Sequence, residues 1–256
     1  MIFDSHCHTR FSADSEMQAE DALRAAEALG LGLVFTEHLD LDFPGDMDYT
    51  FDFGAYWQAY APLCGDRLRL GIEVGMTPAT ASERETLGTD VPFDLVIGSL
   101  HVLDGKDLYF AESYAGQTKE EAYHAYFAKL AEMVRTHAYI DVLGHIDYIA
   151  RYAPFENPEI SYGAFTEDID AVLRAAVEAD IVLELNTRRL GARRALKELV
   201  PVYTRYRALG GRYVTLGSDA HAADAIGANF RTAEELADAV GLGIVTFHGR
   251  RRELLQ

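Results

Sequence analysis

The stretch Ile2-Phe3-Asp4-Ser5-His6-Cys7-His8-Thr9 decides the fold class. Ile2–Ser5 is a short β-type run, and an open dinucleotide-binding sheet would follow it with G-x-G-x-x-G, so that backbone could approach a pyrophosphate. Two imidazoles stand there instead. Working outward, further β-type runs recur at Gly32–Thr36, Leu68–Val74, Leu95–Gly98, Asp141–Gly144, Ile181–Leu185, Arg212–Leu216 and Ile244–Phe247. Between them, Met17–Leu29, Phe53–Leu63, Lys119–Thr136, Phe165–Glu178, Ala195–Leu209 and Thr232–Val240 carry apolar residues at i, i+3, i+4 spacing. Gly32–Thr36, Asp141–Gly144 and Ile181–Leu185 are nearly all apolar, as strands covered on both faces are. Strands alternating with helices predict an α/β fold with a parallel sheet, and the missing glycine motif favours a closed barrel.

The 256 residues hold 49% hydrophobic and 25% charged side chains, which excludes a disordered or disulfide-stapled chain. No Ser/Gly/Pro-rich linker or internal repeat divides them, so residues 1–256 are expected to form one domain. Lys and Arg number 23 against 41 Asp and Glu, a net charge of −18. Such a surface repels polyanions and argues against nucleic acid as a partner. No apolar run reaches the roughly 20 residues of a membrane span. The two cysteines, Cys7 and Cys64, form no C-x-x-C pair, and with no leader-like start the expected location is the cytoplasm. Nothing in the sequence reports an oligomeric state.

In a barrel of this kind chemistry sits at the carboxyl-terminal strand ends. Six of the nine histidines fall there: His6, His8, His38, His101, His145 and His221, with Glu37, Glu73 and Asp219 among them. His6-x-His8 and Asp219-x-His221 have the strand period of two, so each pair points one way and Cys7 points to the helix layer. A single such histidine is most simply a hydrogen-bonded barrel residue. Six at one rim, mixed with carboxylates, suit borderline divalent ions such as zinc, iron or manganese. His124 on a helix face, His137 at a helix end facing the dipole, and His248 beside the solvated basic run Arg250-Arg251-Arg252 are set apart from that pattern. Trp57 is expected in packing or as a roof over the pocket.

His6-x-His8-Thr9-x-Phe11-Ser12-x-Asp14, Thr36-Glu37-His38, Gly71-Ile72-Glu73, Gly98-Ser99-x-His101, Gly144-His145-Ile146-Asp147 and Gly217-Ser218-Asp219-Ala220-His221 together resemble the polymerase-and-histidinol-phosphatase (PHP) superfamily. Within it, Gly98-Ser99-Leu100-His101-Val102-Leu103-Asp104-Gly105 and the segment from Gly144 to Tyr152 are similar to the stand-alone histidinol-phosphate phosphatases. The resemblance implies a distorted (β/α)7 TIM-like barrel with up to three divalent ions. It places a first ion on His6, His8, Glu73 and Asp219, a second on Glu73, His101 and His145, and a third on Asp14, His38 and His221. The competing reading of Asp14 is a cap for the helix starting near Met17, and metal binding is preferred to it. Glu37 and Asp147 are expected to orient ligand histidines. Three ions against Glu73, Asp14 and Asp219 leave a threefold positive excess, which suits a phosphate dianion and a hydroxide.

The implied reaction is hydrolysis of a small phosphate monoester, L-histidinol phosphate first. A water bridging two ions, acidified from a pKa of about 15.7 to around 7, would attack phosphorus in line. Arg151 is the expected phosphate-binding guanidinium, with Arg188 and Arg189 as further candidates. The ammonium of the substrate is assigned to the acidic loop after the second strand, Asp42 or Asp40 first. Phosphotyrosine or a nucleotide is the alternative substrate, and a metal-binding protein without turnover is the rival class.

Overall fold

The computed structural model describes residues 1–88 and 91–255. In chain order the strands are β1 (Phe3–Cys7), β2 (Gly32–Leu39), β3 (Leu68–Gly75), β4 (Leu95–Ser99), β5 (Val102–Leu103), β6 (Lys106–Asp107), β7 (Val142–Leu143), β8 (Val182–Asn186), β9 (Tyr213–Gly217), β10 (Gly243–His248) and β11 (Arg251–Leu254). The helices are α1 (Ala19–Leu29), α2 (Phe53–Tyr60), α3 (Glu83–Leu87), α4 (Lys119–Thr136), α5 (Ile149–Tyr152), α6 (Thr166–Glu178), α7 (Arg193–Ala208) and α8 (Phe230–Val240). Their ends obey local chemistry. Thr118 and Glu121 form a capping box on α4, and Gly30 closes α1 in the left-handed conformation.

β1, β2, β3, β4, β7, β8 and β9 run parallel in that order, with β10 parallel to β9 and β11 turning back on β10. The two ends of the sheet meet at their carboxyl-terminal side. Asp219 N–H donates to the His6 carbonyl (2.8 Å), and His8 N–H to the Ala220 carbonyl (2.9 Å). Asp4 reinforces the seam by accepting from Ser218 N–H (2.8 Å), Ser218 Oγ (2.6 Å) and Gly227 N–H (3.0 Å). Toward the other end β10 lies beside β9, and Ser5 Oγ reaches Thr246 Oγ1 at 3.3 Å. This is how the expected barrel is distorted: β1 joins the segment after β9 rather than β9 along its length.

Two apolar layers follow. The larger packs strands against helices, through residues such as Leu70, Ile72, Phe127 and Val172. The smaller fills the barrel interior below the mouth with Phe3, Val34, Leu95, Ile97, Val142, Val182, Val245 and Phe247. Both faces of the parallel strands are therefore buried, which is why they read as apolar runs. The terminal hairpin supplies part of that plug. Two of the three arginines expected to be solvated are tied down: Arg250 binds Asp141, Glu83 and the Tyr139 carbonyl, and Arg252 binds Asp180, while Arg251 is exposed. An acidic chain offers carboxylates at the barrel bottom that neutralise them.

Candidate metal centre

β1 carries a register shift between Asp4 and Cys7 against β2. Such a bulge re-aims side chains at the rim of a barrel. His6 and His8 turn into the mouth, whereas Cys7 is fully buried in the strand–helix layer.

Glu73 on β3 is the hub. Its Oε2 lies 3.2 Å from His6 Nε2, 3.4 Å from His8 Nε2 and 2.9 Å from His38 Nδ1. Its Oε1 lies 2.9 Å from His145 Nε2 and 3.3 Å from His101 Nε2, and accepts from Ser99 Oγ at 2.6 Å. Asp219 Oδ1 is 3.5 Å from His8 Nε2, and Asp14 Oδ2 is 3.3 Å from His221 Nε2 and 3.7 Å from His38 Nε2. Every residue expected as a ligand thus stands at one mouth. The grouping is more continuous than three separate sets. His6, His145 and Asp219 offer atoms within 4.8 Å of one another, as do His8, His38 and His221, whose rings stack on His8 at 4.1 and 4.3 Å.

Electrostatics follow from this crowding. Burial alone raises the pKa of a carboxylate, but His6, His38 and His101 outweigh it and hold Glu73 well below its usual range. Burial is likewise overcome at Asp219 by Arg151 and His6. Burial lowers His101, yet Asp40 and Glu73 hold it well above its ordinary value. His8 goes the other way, pushed down by burial and by its neighbours His38 and His221.

Around the ligand-type residues lies a set of orienting groups that sequence reasoning largely missed. Glu184 on β8 is 1% exposed and binds His6 Nδ1 through Oε1 (2.6 Å), while its Oε2 accepts His145 N–H (2.7 Å) and Asn186 Nδ2 (3.1 Å). A carboxylate inside the apolar run Ile181–Leu185 was the available signal. Asp40 Oδ1 is 2.8 Å from His101 Nδ1, so this residue holds the His101 ring rather than lying free. Ser12 Oγ stands 3.0 Å from His8 Nδ1 and donates to Glu37 Oε2 at 2.7 Å. Glu37 therefore reaches His8 through a hydroxyl. Asp147 does not orient a histidine: it accepts from Arg189 Nη1 at 2.8 Å.

The mouth opens into a cavity of about 500 Å³. Arg151 on α5 lines it, with a side chain 6% exposed, paired to Asp219 through Nη1 while Nε and Nη2 are buried without a partner. Arg188 lines the rim, its side chain 45% exposed and 3.8 Å from Asp219 Oδ1. Arg189 is corrected. It is outside the lining, held by Asp147 and by both oxygens of Glu159 at 2.7 Å, because its guanidinium bridges two loops. Asp42 is also corrected. It is exposed, at a positive φ of 57°, and the loop turns Phe43, Asp46 and Tyr49 to the cavity in its place. Trp57 packs against the core and does not line the cavity. His137 is fully buried rather than a charge facing a dipole. Burial lowers its pKa, and Nδ1 meets the Met133 carbonyl at 2.8 Å.

Fold and site define a parallel barrel with a dense histidine–carboxylate cluster at its carboxyl-terminal mouth. The PHP domain model matches residues 4–188, and the chain belongs to the PHP family. It is 42% identical to a probable histidinol-phosphatase of Clostridium acetobutylicum over 98% of both chains. It is 31% identical to the histidinol-phosphatase of Lactococcus lactis, covering 97% of this chain and 95% of the other. The crystal structure of histidinol phosphate phosphatase from Lactococcus lactis, complexed with zinc, L-histidinol and phosphate, superposes with a TM-score of 0.93 over 98% of both chains at 32% identity.

Proposed function

We propose that this chain is a metal-dependent histidinol-phosphatase, hydrolysing L-histidinol phosphate to L-histidinol and phosphate in histidine biosynthesis. The observation that carries the reading is the convergence of imidazoles on Glu73 beside a buried guanidinium with unpartnered N–H groups. The likeness to the Lactococcus lactis enzyme over nearly the whole of both chains supports the substrate.

The donor set fits divalent ions. His6 Nδ1 is engaged by Glu184 and His8 Nδ1 by Ser12, so their Nε2 atoms face each other at 3.1 Å, a separation that needs a cation or a proton between them. His38 Nδ1 and Glu73 Oε2, both buried, face each other at 2.9 Å without hydrogen-bond geometry. Our assignment is His6, His8, Glu73 and Asp219 for one ion, Glu73, His101 and His145 for a second, and Asp14, His38 and His221 for a third, with zinc, iron or manganese as candidates. Bound there, such ions supply Lewis acidity and acidify water toward neutral pH.

The chain's own residues do the rest. Arg151 lines the cavity with Nη1 anchored on Asp219 and with Nε and Nη2 unpartnered, and a small shift of its side chain brings those nitrogens to phosphate oxygens. Arg188 adds charge at the rim. Tyr148 lies under the Arg151 guanidinium, 5.4 Å from ring centroid to Cζ, and excludes water from one side of the mouth. The pairing of β10 with β9 and of β11 with β10 supports treating the chain as one working unit, and a cytoplasmic location belongs to the same proposal. Among the described residues no helix is long and apolar enough to cross a membrane.

The test is metal analysis followed by phosphate release from histidinol phosphate, phosphotyrosine, a nucleoside monophosphate and a simple alkyl phosphate, with and without chelator. Preferred turnover of histidinol phosphate, abolished by chelation, is expected. Preference for another monoester refutes the substrate, and chelator-insensitive turnover refutes the metal reading.

A further inference from the structure

A phosphate-binding mouth gains nothing from a carboxylate in its wall, yet Asp107 lines this cavity. It sits on β6, directly across the β5–β6 hairpin from Val102, the neighbour of His101, and the Leu108 N–H bond to the His101 carbonyl (3.0 Å) holds it there. Its Oδ1 accepts Tyr109 N–H at 2.8 Å, and its Oδ2 has no hydrogen-bond partner among the described residues. Arg151 lines the same cavity, its side chain more than nine-tenths buried, with Nη1 on Asp219 and with Nε and Nη2 unpartnered. The cavity therefore carries a guanidinium, Arg151, and a carboxylate with an unpartnered oxygen, Asp107.

We propose that Asp107 is the specificity-determining residue of this site and receives the ammonium group of the substrate. The assignment rests on the histidinol-phosphatase reading and goes one step past it. In that substrate the ammonium is borne on the carbon adjacent to the one carrying the phosphate ester, so its partner must lie close to the metal-type floor. Asp107, held beside His101, meets that requirement. The other carboxylates do not: Asp46 is exposed at the rim, Asp42 is outside the cavity, Asp14 faces His38 and His221, and Asp219 is paired with Arg151. Asp40 is committed to His101, and its other oxygen is closed to solvent. Tyr109, two residues after Asp107 and exposed, lies 4.7 Å between ring centroids from the half-buried Tyr152, an aromatic pair at the mouth where the imidazole would extend. A carboxylate here also acts against plain phosphate monoesters, whose dianion it repels.

The experiment compares histidinol phosphate with its deaminated analogue, imidazolylpropyl phosphate, on metal-loaded wild type, Asp107→Asn and Asp107→Glu. Asparagine still accepts the Tyr109 N–H, so the hairpin is retained, and a melting curve checks it. For Asp107→Asn the kcat/KM on histidinol phosphate is expected to fall roughly 10- to 100-fold, the range of a hydrogen bond to a charged group. On the deaminated analogue it is expected to rise about two- to fivefold as a like charge is removed. Asp107→Glu should restore most of the wild-type preference. A reciprocal shift of this kind does not arise from a structural defect. An unchanged ratio in Asp107→Asn, or a wild type that treats both phosphates alike, overturns the assignment while histidinol phosphate still turns over. A wild type inactive on both overturns the underlying function and this assignment with it.

Discussion

Replacing Glu184 by glutamine tests whether orienting groups, and not ligands alone, build the centre. The carboxylate serves three donors, His6 Nδ1 at 2.6 Å, His145 N–H at 2.7 Å and Asn186 Nδ2 at 3.1 Å. Glutamine has one oxygen for them, so its amide NH2 must face either a ring N–H or a backbone N–H. The loss is one charge-assisted bond, and one buried donor is left unsatisfied, each costing about 1–3 kcal/mol. Some relaxation of Asn186, which now donates to Glu184 Oε2 at 3.1 Å, recovers part of this. A net cost of about 2 kcal/mol remains, and it falls on His6 in the geometry a bound cation requires. The expected result is about 30-fold weaker zinc binding, read by competition with a chromophoric chelator, within the range for loss of an outer partner. Melting in chelator, where no metal contributes, separates a folding defect from a metal-binding one. Zinc affinity within threefold of wild type would refute the reasoning.

Three further substitutions probe other links. Arg151→Gln removes both free N–H groups and is expected to lower kcat/KM for the phosphate ester roughly 100- to 1000-fold, with Arg151→Lys recovering little because a point charge lacks the fork; parity of lysine with arginine would contradict the bidentate role. Gly217→Ala puts a Cβ 2.2 Å from Glu184 Oε1 and 2.5 Å from His6 Cβ, so stability should drop by about 1–3 kcal/mol, and metal affinity with it; a silent alanine would show that Glu184 can move freely. Asp4, fully buried at the β1–β9 seam, has its pKa raised by burial from 3.8 to about 6. The folded state therefore binds more protons than the unfolded one between those values, and stability falls as pH rises through the window, by about 3 kcal/mol in all. Denaturation in chelator should show the wild-type advantage over Asp4→Asn shrinking by that amount from pH 4 to pH 7, and parallel pH profiles would exclude the effect.

Much of the centre was legible because its signals are local. His6-x-His8 and Asp219-x-His221 share a strand period, and strand–helix alternation places their ends at one rim whatever the loops do. The same alternation located Glu73, His38, His101 and His145. What failed was the reading of segments whose path is set by remote contacts. The acidic stretch after β2 offered five aspartates with nothing to choose among them. Only packing turned Asp42 outward and gave Asp40 to His101. Arg188 and Arg189 are neighbours in sequence, yet one lines the cavity and the other is tied to Asp147 and Glu159.

Residue order alone therefore settles the barrel class and the ring of imidazoles and carboxylates, because hydrophobic period and strand-end position depend on near neighbours in the chain. Three-dimensional folding alone decides which acid orients which histidine, which arginine keeps free N–H groups, and that Asp107 stands beside His101. Those choices depend on hydrogen bonds between residues far apart in sequence, such as Glu184 to His6 across 178 positions, and no local pattern encodes such a pairing.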